Sequence, residues 1–309
     1  MNRQLLAAEF LATPWAMMPE RLDAFAALIG RWSVGVSPPE ETLARIETDR
    51  QLRTERKASL PTSGRSGIAV LPLYGVVTQR GNMVDDVSGP GSTSTQKFSS
   101  ALRQVIADES VGQILIDIDS PGGSVYGVAE LADEIYRARS QKPVIALANS
   151  LAASAAYWVG SAASEFYVTP GGEVGSIGVW QAHFDYSEAF ASEGVKPTLI
   201  SAGKYKVEGN PYAPLDEEAL GFMQSRVDEY YAAFTKAVAK GRGVSLSDVR
   251  DAMGQGRVLG ADTALEQRMV DGVMTFDELI RRMSANGRVG SKKLSNLARA
   301  ELNLQVIAL

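Results

Sequence analysis

The chain has 309 residues, 45% of them hydrophobic and 22% charged, with a formal net charge of −5. That is room for one large domain or two small ones, and the acidic balance argues against broad nucleic-acid binding. There is no cysteine and one histidine, His183, so disulfides, thiolate metal sites, a cysteine nucleophile and a multi-histidine metal centre are excluded.

The N-terminal stretch MNRQLLAAEFLATPWAMMPERLDAFAALIGRW is amphipathic but interrupted by Glu9, Glu20, Arg21 and Asp23. It lacks the basic start and unbroken apolar stretch of a secretory signal. No apolar run reaches the ~18 residues of a transmembrane helix, so a soluble, non-secreted, cytoplasmic protein is expected. Residues 1–33 read as a helical extension and 34–66 as a polar linker poor in large apolar residues. Residues 67–284 read as the main domain. Residues 285–309 form a flexible tail with four basic residues and one acidic.

Strand and helix signals alternate in the main domain. IAVLPLYGVV (68–77) is a β run whose Pro72 points to an edge or a bulge. A helix follows over 95–108, then the buried strand GQILIDID (112–119). SVYGVAELADEIYRAR (124–139) places Val125, Val128, Leu131 and Ile135 on one helical face. PVIALAN (143–149) is the next strand, and an alanine-rich helix follows it. Short strands are expected at 165–169, 176–180 and 197–203, with a helix over 185–194. From 216 a long helix has acids at its start and bases at its end, the order the helix dipole favours. The repetition implies an α/β fold with a mostly parallel sheet and right-handed crossovers.

Two stretches carry candidate chemistry. DSPGGSVYG (119–127) follows a buried strand and opens a helix, where glycine N–H groups can face an anion or a carbonyl oxygen becoming one. A plain tight turn is the alternative; a phosphate loop is discounted because the Gly-Lys-Ser/Thr ending is missing. In NSLAASAAYW (149–158), Ser154 sits among alanines at a helix start, where the dipole favours negative charge and small neighbours admit a substrate chain. A close helix crossing would use the same small residues. Both stretches emerge at the carboxyl ends of adjacent strands, where open α/β sheets place their sites.

A serine nucleophile needs a base. His183 lies 29 residues downstream, and SAGKYKVEGNPY (201–212) offers Lys204 and Lys206. A lysine with the reference pKa of ~10.4 is a poor base, but burial without a counter-ion lowers it by up to several units. A solvated surface charge is the ordinary role for either lysine.

The succession SPGGSVYG, AASAAYW, GSIGVW (175–180) and GKYK (203–206), in this order and spacing, resembles the signal-peptide-peptidase family of serine-lysine proteases. The later GRVLGADTA and the VDGV that follows extend the likeness over about 67–284. The resemblance implies a Clp-protease/crotonase-like fold of repeated β-β-α units with a helical C-terminal part. It implies Ser154 as nucleophile, Lys206 as general base 52 residues on, and Ser176 as the hydroxyl holding that lysine. Gly123 and Ala155 would supply the oxyanion N–H groups, each worth about 2.7–4 kcal/mol by analogy with measured donors. His183 stays the alternative base, as in related Clp proteases. No cofactor or metal is implied.

Cellular members usually carry a membrane anchor, and none is expected from the apolar runs of this sequence. The N-terminal extension, the HFDY after GSIGVWQA and the GNPY after the lysine look more like the tailed-phage branch of capsid-maturation proteases. That branch implies scaffold, portal or minor capsid proteins as substrates inside a prohead in the host cytoplasm, and a homo-oligomeric ring without membrane or nucleic-acid partners. The alternatives are a cellular signal-peptide-peptidase-like protease, a crotonase-type acyl-CoA enzyme and a catalytically idle capsid component.

Overall fold

Strand β5 (Gln113–Ser120) lies inside the larger of two sheets, and its Ile-rich run is buried along almost its whole length. Such a run suits a parallel strand covered on both faces. The structure is a computed structural model that describes residues 14–18, 67–80, 92–291 and 304–306. Calls on residues 1–13, 19–66, 81–91, 292–303 and 307–309, including the 34–66 linker and most of the basic tail, lie outside the described residues.

In chain order the elements are β1 (Trp15–Met17), β2 (Ile68–Tyr74), β3 (Val76–Thr78), β4 (Ser92–Ser94), α1 (Thr95–Ala107), β5, β6 (Gly122–Ser124), α2 (Val128–Ala138) and β7 (Val144–Ala153). Then come α3 (Ala155–Ser161), β8 (Glu165–Val168), β9 (Glu173–Gly175), α4 (Ser187–Ser192), α5 (Glu217–Arg242) and α6 (Leu246–Asp251). The last are β10 (Val258–Gly260), α7 (Ala261–Glu266), β11 (Gly272–Val273), α8 (Phe276–Ser291) and β12 (Leu304–Val306).

The large sheet runs β10-β9-β7-β5-β2-β12, with β8 beside the first half of β7 and β11 beside β8. Its pairings are parallel except β9 with β10. β12 stops opposite Val70, so Pro72 has no described neighbour on that side, the edge position its missing N–H demands. The small sheet runs β1-β6-β3-β4. The chain therefore visits the large sheet, steps into the small one and returns through a helix: β2-β3-β4-α1, then β5-β6-α2. This is the Clp-protease/crotonase-like succession.

Period-two alternation divides β2 between two cores. Ala69, Leu71 and Leu73 face the main cluster under α1, α2, α3 and α5. Ile68 and Val70 face a smaller cluster closed by Leu279 and Met283 of α8. Helix α2 buries Val128, Leu131, Ala132, Ile135 and Ala138, the stripe expected of a surface helix. Helix α5 is capped by the Asp216 carboxylate, which accepts from the Ala219 N–H at 2.7 Å, and ends at Gly243 in the left-handed region.

Several boundaries differ from expectation. The Gly122–Gly123 pair forms a strand, and α2 begins only at Val128. No strand forms over 176–180 or 197–203, and residues 193–206 lie exposed. Residues 15–17, expected within a helical extension, form a strand of the small sheet.

Candidate active site

Ser154 joins β7 to α3 in a single residue, with φ 55° and ψ −117°. A non-glycine residue held at positive φ costs about 1–3 kcal/mol and persists only where its surroundings enforce it. Here they do. The Ser154 N–H donates to the Gly175 carbonyl at 2.7 Å, and the Ser154 carbonyl accepts from the Trp158 N–H at 2.9 Å. The bulky pair after the alanines anchors the helix from behind. Tyr157 donates its hydroxyl to the Met269 carbonyl at 3.0 Å, and Trp158 stacks on Phe234 with centroids 4.6 Å apart.

Small residues let the neighbouring strand approach the elbow. A Cβ on Gly122 would lie 2.9 Å from the Ser154 Cβ, and one on Gly123 would lie 1.9 Å from the Val77 carbonyl oxygen. Gly122 also sits at φ +98°, open only to glycine at low cost. Ser120 holds this turn: its hydroxyl donates to the Gly75 carbonyl at 2.6 Å and accepts from the Gly122 N–H at 3.2 Å. No sequence signal marked Ser120, since a serine before Pro-Gly-Gly reads as ordinary turn composition. β5 and β7 are neighbours, so the glycine turn and Ser154 do emerge side by side.

Ser154 is 1% exposed, and its Oγ has the Gly178 carbonyl as a distant acceptor at 3.4 Å. Ala155, the first residue of α3, has an N–H with no acceptor inside the helix. Ser176 is buried and follows Gly175, the residue bonded to the Ser154 amide. It too has positive φ, 53°, and its N–H is held by the Arg257 carbonyl at 2.7 Å. Ser154, Gly123, Ala155 and Ser176 thus share one neighbourhood.

No hydrogen bond among the described residues joins a candidate base to Ser154. Lys206 is exposed in a turn pinned by its own N–H to the Gly203 carbonyl at 3.2 Å, and its Nζ has no hydrogen bond or ion pair among the described residues. Lys204 is committed elsewhere, with its ammonium 2.6 Å from Glu218. His183 is half-buried with Nε2 3.0 Å from the Asn210 carbonyl, and no bond joins it to Ser154. The segment 183–215 that carries these residues exposes Val195, Leu199, Tyr205 and Ile200, the last at 96%. Among the described residues no cluster of three or more His, Asp or Glu side chains could hold a metal ion, and no helix is long and apolar enough to cross a membrane.

The chain is 32% identical, over 97% of its length, to the head-tail preconnector protein GP5 of Enterobacteria phage P21, covering 61% of that protein. It is 37% identical, over 71% of its length, to capsid assembly protease C of Escherichia phage lambda, covering 49% of it. It is 27% identical, over 66% of its length, to a protein of Enterococcus faecium that carries the name signal peptide peptidase SppA, covering 59% of it. The chain thus spans about half to three fifths of the length of these relatives. Residues 136–290, which include the Ser154 elbow, Ser176 and Lys206, match the family model of peptidase family S49. With that match covering half its length, the chain belongs to peptidase family S49.

Proposed function

We propose that the chain is a serine endopeptidase that processes proteins of a phage head during its assembly. The observation that carries this reading is Ser154, a buried serine held at positive φ between strand and helix with Gly122 packed on its Cβ. Backbone strain of this kind concentrates at functional sites. Ser154 is the nucleophile, and the N–H groups of Gly123 and Ala155 stabilise the oxyanion that forms on the attacked carbonyl. Lys206 takes the serine proton and Ser176 holds the lysine amine. An acyl-enzyme forms on Ser154 and water releases it.

Lys206 is exposed in one chain, on a segment that bares Leu199 and Ile200. Exposed apolar side chains in a row mark a contact surface. The lysine is therefore delivered to Ser154 by a second copy, and the working form is a closed homo-oligomer. The names of the two phage relatives support head proteins (scaffold, portal or minor capsid) as substrates and the prohead as the place of action.

A fluorophosphonate probe tests the reading. The assembled protein is expected to be labelled on Ser154 and to cleave a co-expressed head protein, and both are lost in Ser154→Ala. Equal labelling of wild type and variant, or coenzyme A binding that survives loss of both Ser154 and Lys206, would point to another chemistry.

A further inference from the structure

The groove beside Ser154 already holds a peptide, and that peptide belongs to the chain itself. β1 pairs antiparallel with β6, matching Trp15 with Ser124, Ala16 with Gly123 and Met17 with Gly122. On its other edge Trp15 exchanges both backbone hydrogen bonds with Trp180, at 2.9 and 3.0 Å, and the Trp180 indole N–H donates to the Met17 carbonyl at 3.0 Å. An extended segment clamped on both edges, next to a nucleophile, is bound as β-strand-recognised substrates are.

The register says which bond is presented. The Met18 N–H donates to the Pro121 carbonyl at 3.2 Å and the Val125 N–H to the Pro14 carbonyl at 3.4 Å. In an antiparallel ladder, hydrogen-bonded and non-hydrogen-bonded pairs alternate. These two bonds flank the pairs Met17–Gly122 and Trp15–Ser124, so Ala16–Gly123 is the hydrogen-bonded pair. The Gly123 N–H, the donor assigned to the oxyanion, therefore faces the carbonyl oxygen of Ala16. Independently, the point where a Gly122 Cβ would sit lies 2.3 Å from the Ala16 oxygen and 2.9 Å from the Ser154 Cβ, so the two are neighbours across that glycine. Side chains alternate to match: Trp15 and Met17 cluster with Val76 and Trp180. Ala16 turns to the opposite face, fully buried in the cluster that includes Ala152, Ala155 and Ala156.

We infer that the Ala16–Met17 peptide bond is a self-cleavage site, and that residues 14–18 are the first substrate of this groove. This rests on the peptidase reading above. The Ser154 oxygen bonds to the Ala16 carbonyl carbon while its proton passes to Lys206. The C–N bond then breaks and that proton leaves on the Met17 amine. Water hydrolyses the Ala16 ester, yielding the Ala16 carboxylate and the free Ser154 hydroxyl. The buried Ala16 methyl sets a requirement for a small side chain at the position before the cut. With Lys206 exposed in one chain and delivered by a second copy, the cut waits on assembly and then frees the groove for other proteins.

The test follows the full-length chain by intact-mass spectrometry and N-terminal sequencing as it assembles. The expected result is loss of residues 1–16 and a new N-terminus at Met17, absent in Ser154→Ala. Ala16→Arg is expected to stop this cut. Since that change could disturb folding, a synthetic peptide of residues 10–22 is offered to the wild-type protein in parallel. It should be cut between its Ala and Met, and its arginine counterpart at least about 100-fold more slowly, because a cation would enter an apolar site. If Ser154 is labelled and cleaves an added unfolded protein while the chain stays full length and the peptide intact, the self-cleavage site is wrong and the peptidase reading stands. Cutting at a different bond overturns the register. No labelling and no cleavage of anything overturns both.

Discussion

Gly122 and Ser154 are packed so closely that a methyl group on the glycine would sit 2.9 Å from the serine Cβ, with the Ala16 carbonyl oxygen 2.3 Å away on the other side. The position of Ser154, the proposed nucleophile, is thus set by a neighbour that has no side chain. Gly122→Ala is expected to destabilise the fold by about 2–6 kcal/mol, from overpacking and from a side chain forced to φ +98°. It should lower kcat/KM at least about 100-fold by displacing the attacking oxygen. Peptide hydrolysis alongside thermal unfolding separates the two effects.

Ser154 also carries backbone strain, at φ 55°. Ser154→Gly removes the Cβ from a residue at φ 55°, so it should abolish hydrolysis while stabilising the fold by about 1 kcal/mol. Urea unfolding of the variant against wild type checks this. A loss of stability would mean the backbone there is not strained.

If the base comes from a second copy, two dead proteins can make a live one. Ser154→Ala and Lys206→Ala should each be inactive alone. Mixed before assembly, they should recover up to about a quarter of wild-type activity, the share of interfaces uniting both intact residues in a head-to-tail ring. No recovery in confirmed mixed assemblies would place the dyad within one chain.

His183 is expected to be dispensable for the chemistry. Its Nε2 is engaged with the Asn210 carbonyl, so His183→Ala should cost about 1 kcal/mol of local order and leave the rate within about fivefold of wild type. An inactive but folded His183→Ala, beside an active Lys206→Ala, would reverse the assignment of the base.

Behind the elbow, Arg242 makes a two-pronged pair with Asp271, both contacts at 2.8 Å, and the same carboxylate accepts the Phe166 N–H at 2.7 Å. Burial pushes the Asp271 carboxyl up, but the guanidinium and the backbone N–H outweigh it and hold it below the usual carboxylate range. The unfolded chain therefore binds the proton more readily. The stabilisation is complete above the ordinary value of ~3.9 and fades as pH falls through the lower folded value. Asp271→Ala strands a guanidinium that is 5% exposed, but Asp271 itself is 38% exposed. The expected loss is therefore about 2 kcal/mol, less than the roughly 3–5 kcal/mol of a fully buried pair. The gap between wild type and variant should close as unfolding is repeated at falling pH.

Much of this architecture could be read along the chain. The buried runs at 113–120 and 144–153, the stripe of α2 and the capped ends of α5 depend on local periodicity and termination, which sequence displays directly. Ser154 was legible because clearing side-chain volume around one hydroxyl leaves a compositional mark. Other features were not. The glycine pair became a strand because β3 on one side and β1 on the other supply backbone partners. Residues 197–203 had a strand-like pattern but no described neighbour to pair with, and an apolar run without a partner stays extended and exposed. Trp15–Met17 sit in a helical-looking stretch, yet their burial comes from Trp180 and Gly122–Ser124, more than a hundred residues away. Composition and spacing determined which serine, lysine and glycine residues this protein can offer to the proposed site. Only the folded chain decided that Gly123 faces the Ala16 carbonyl, because hydrogen-bond register between distant strands has no trace in local sequence.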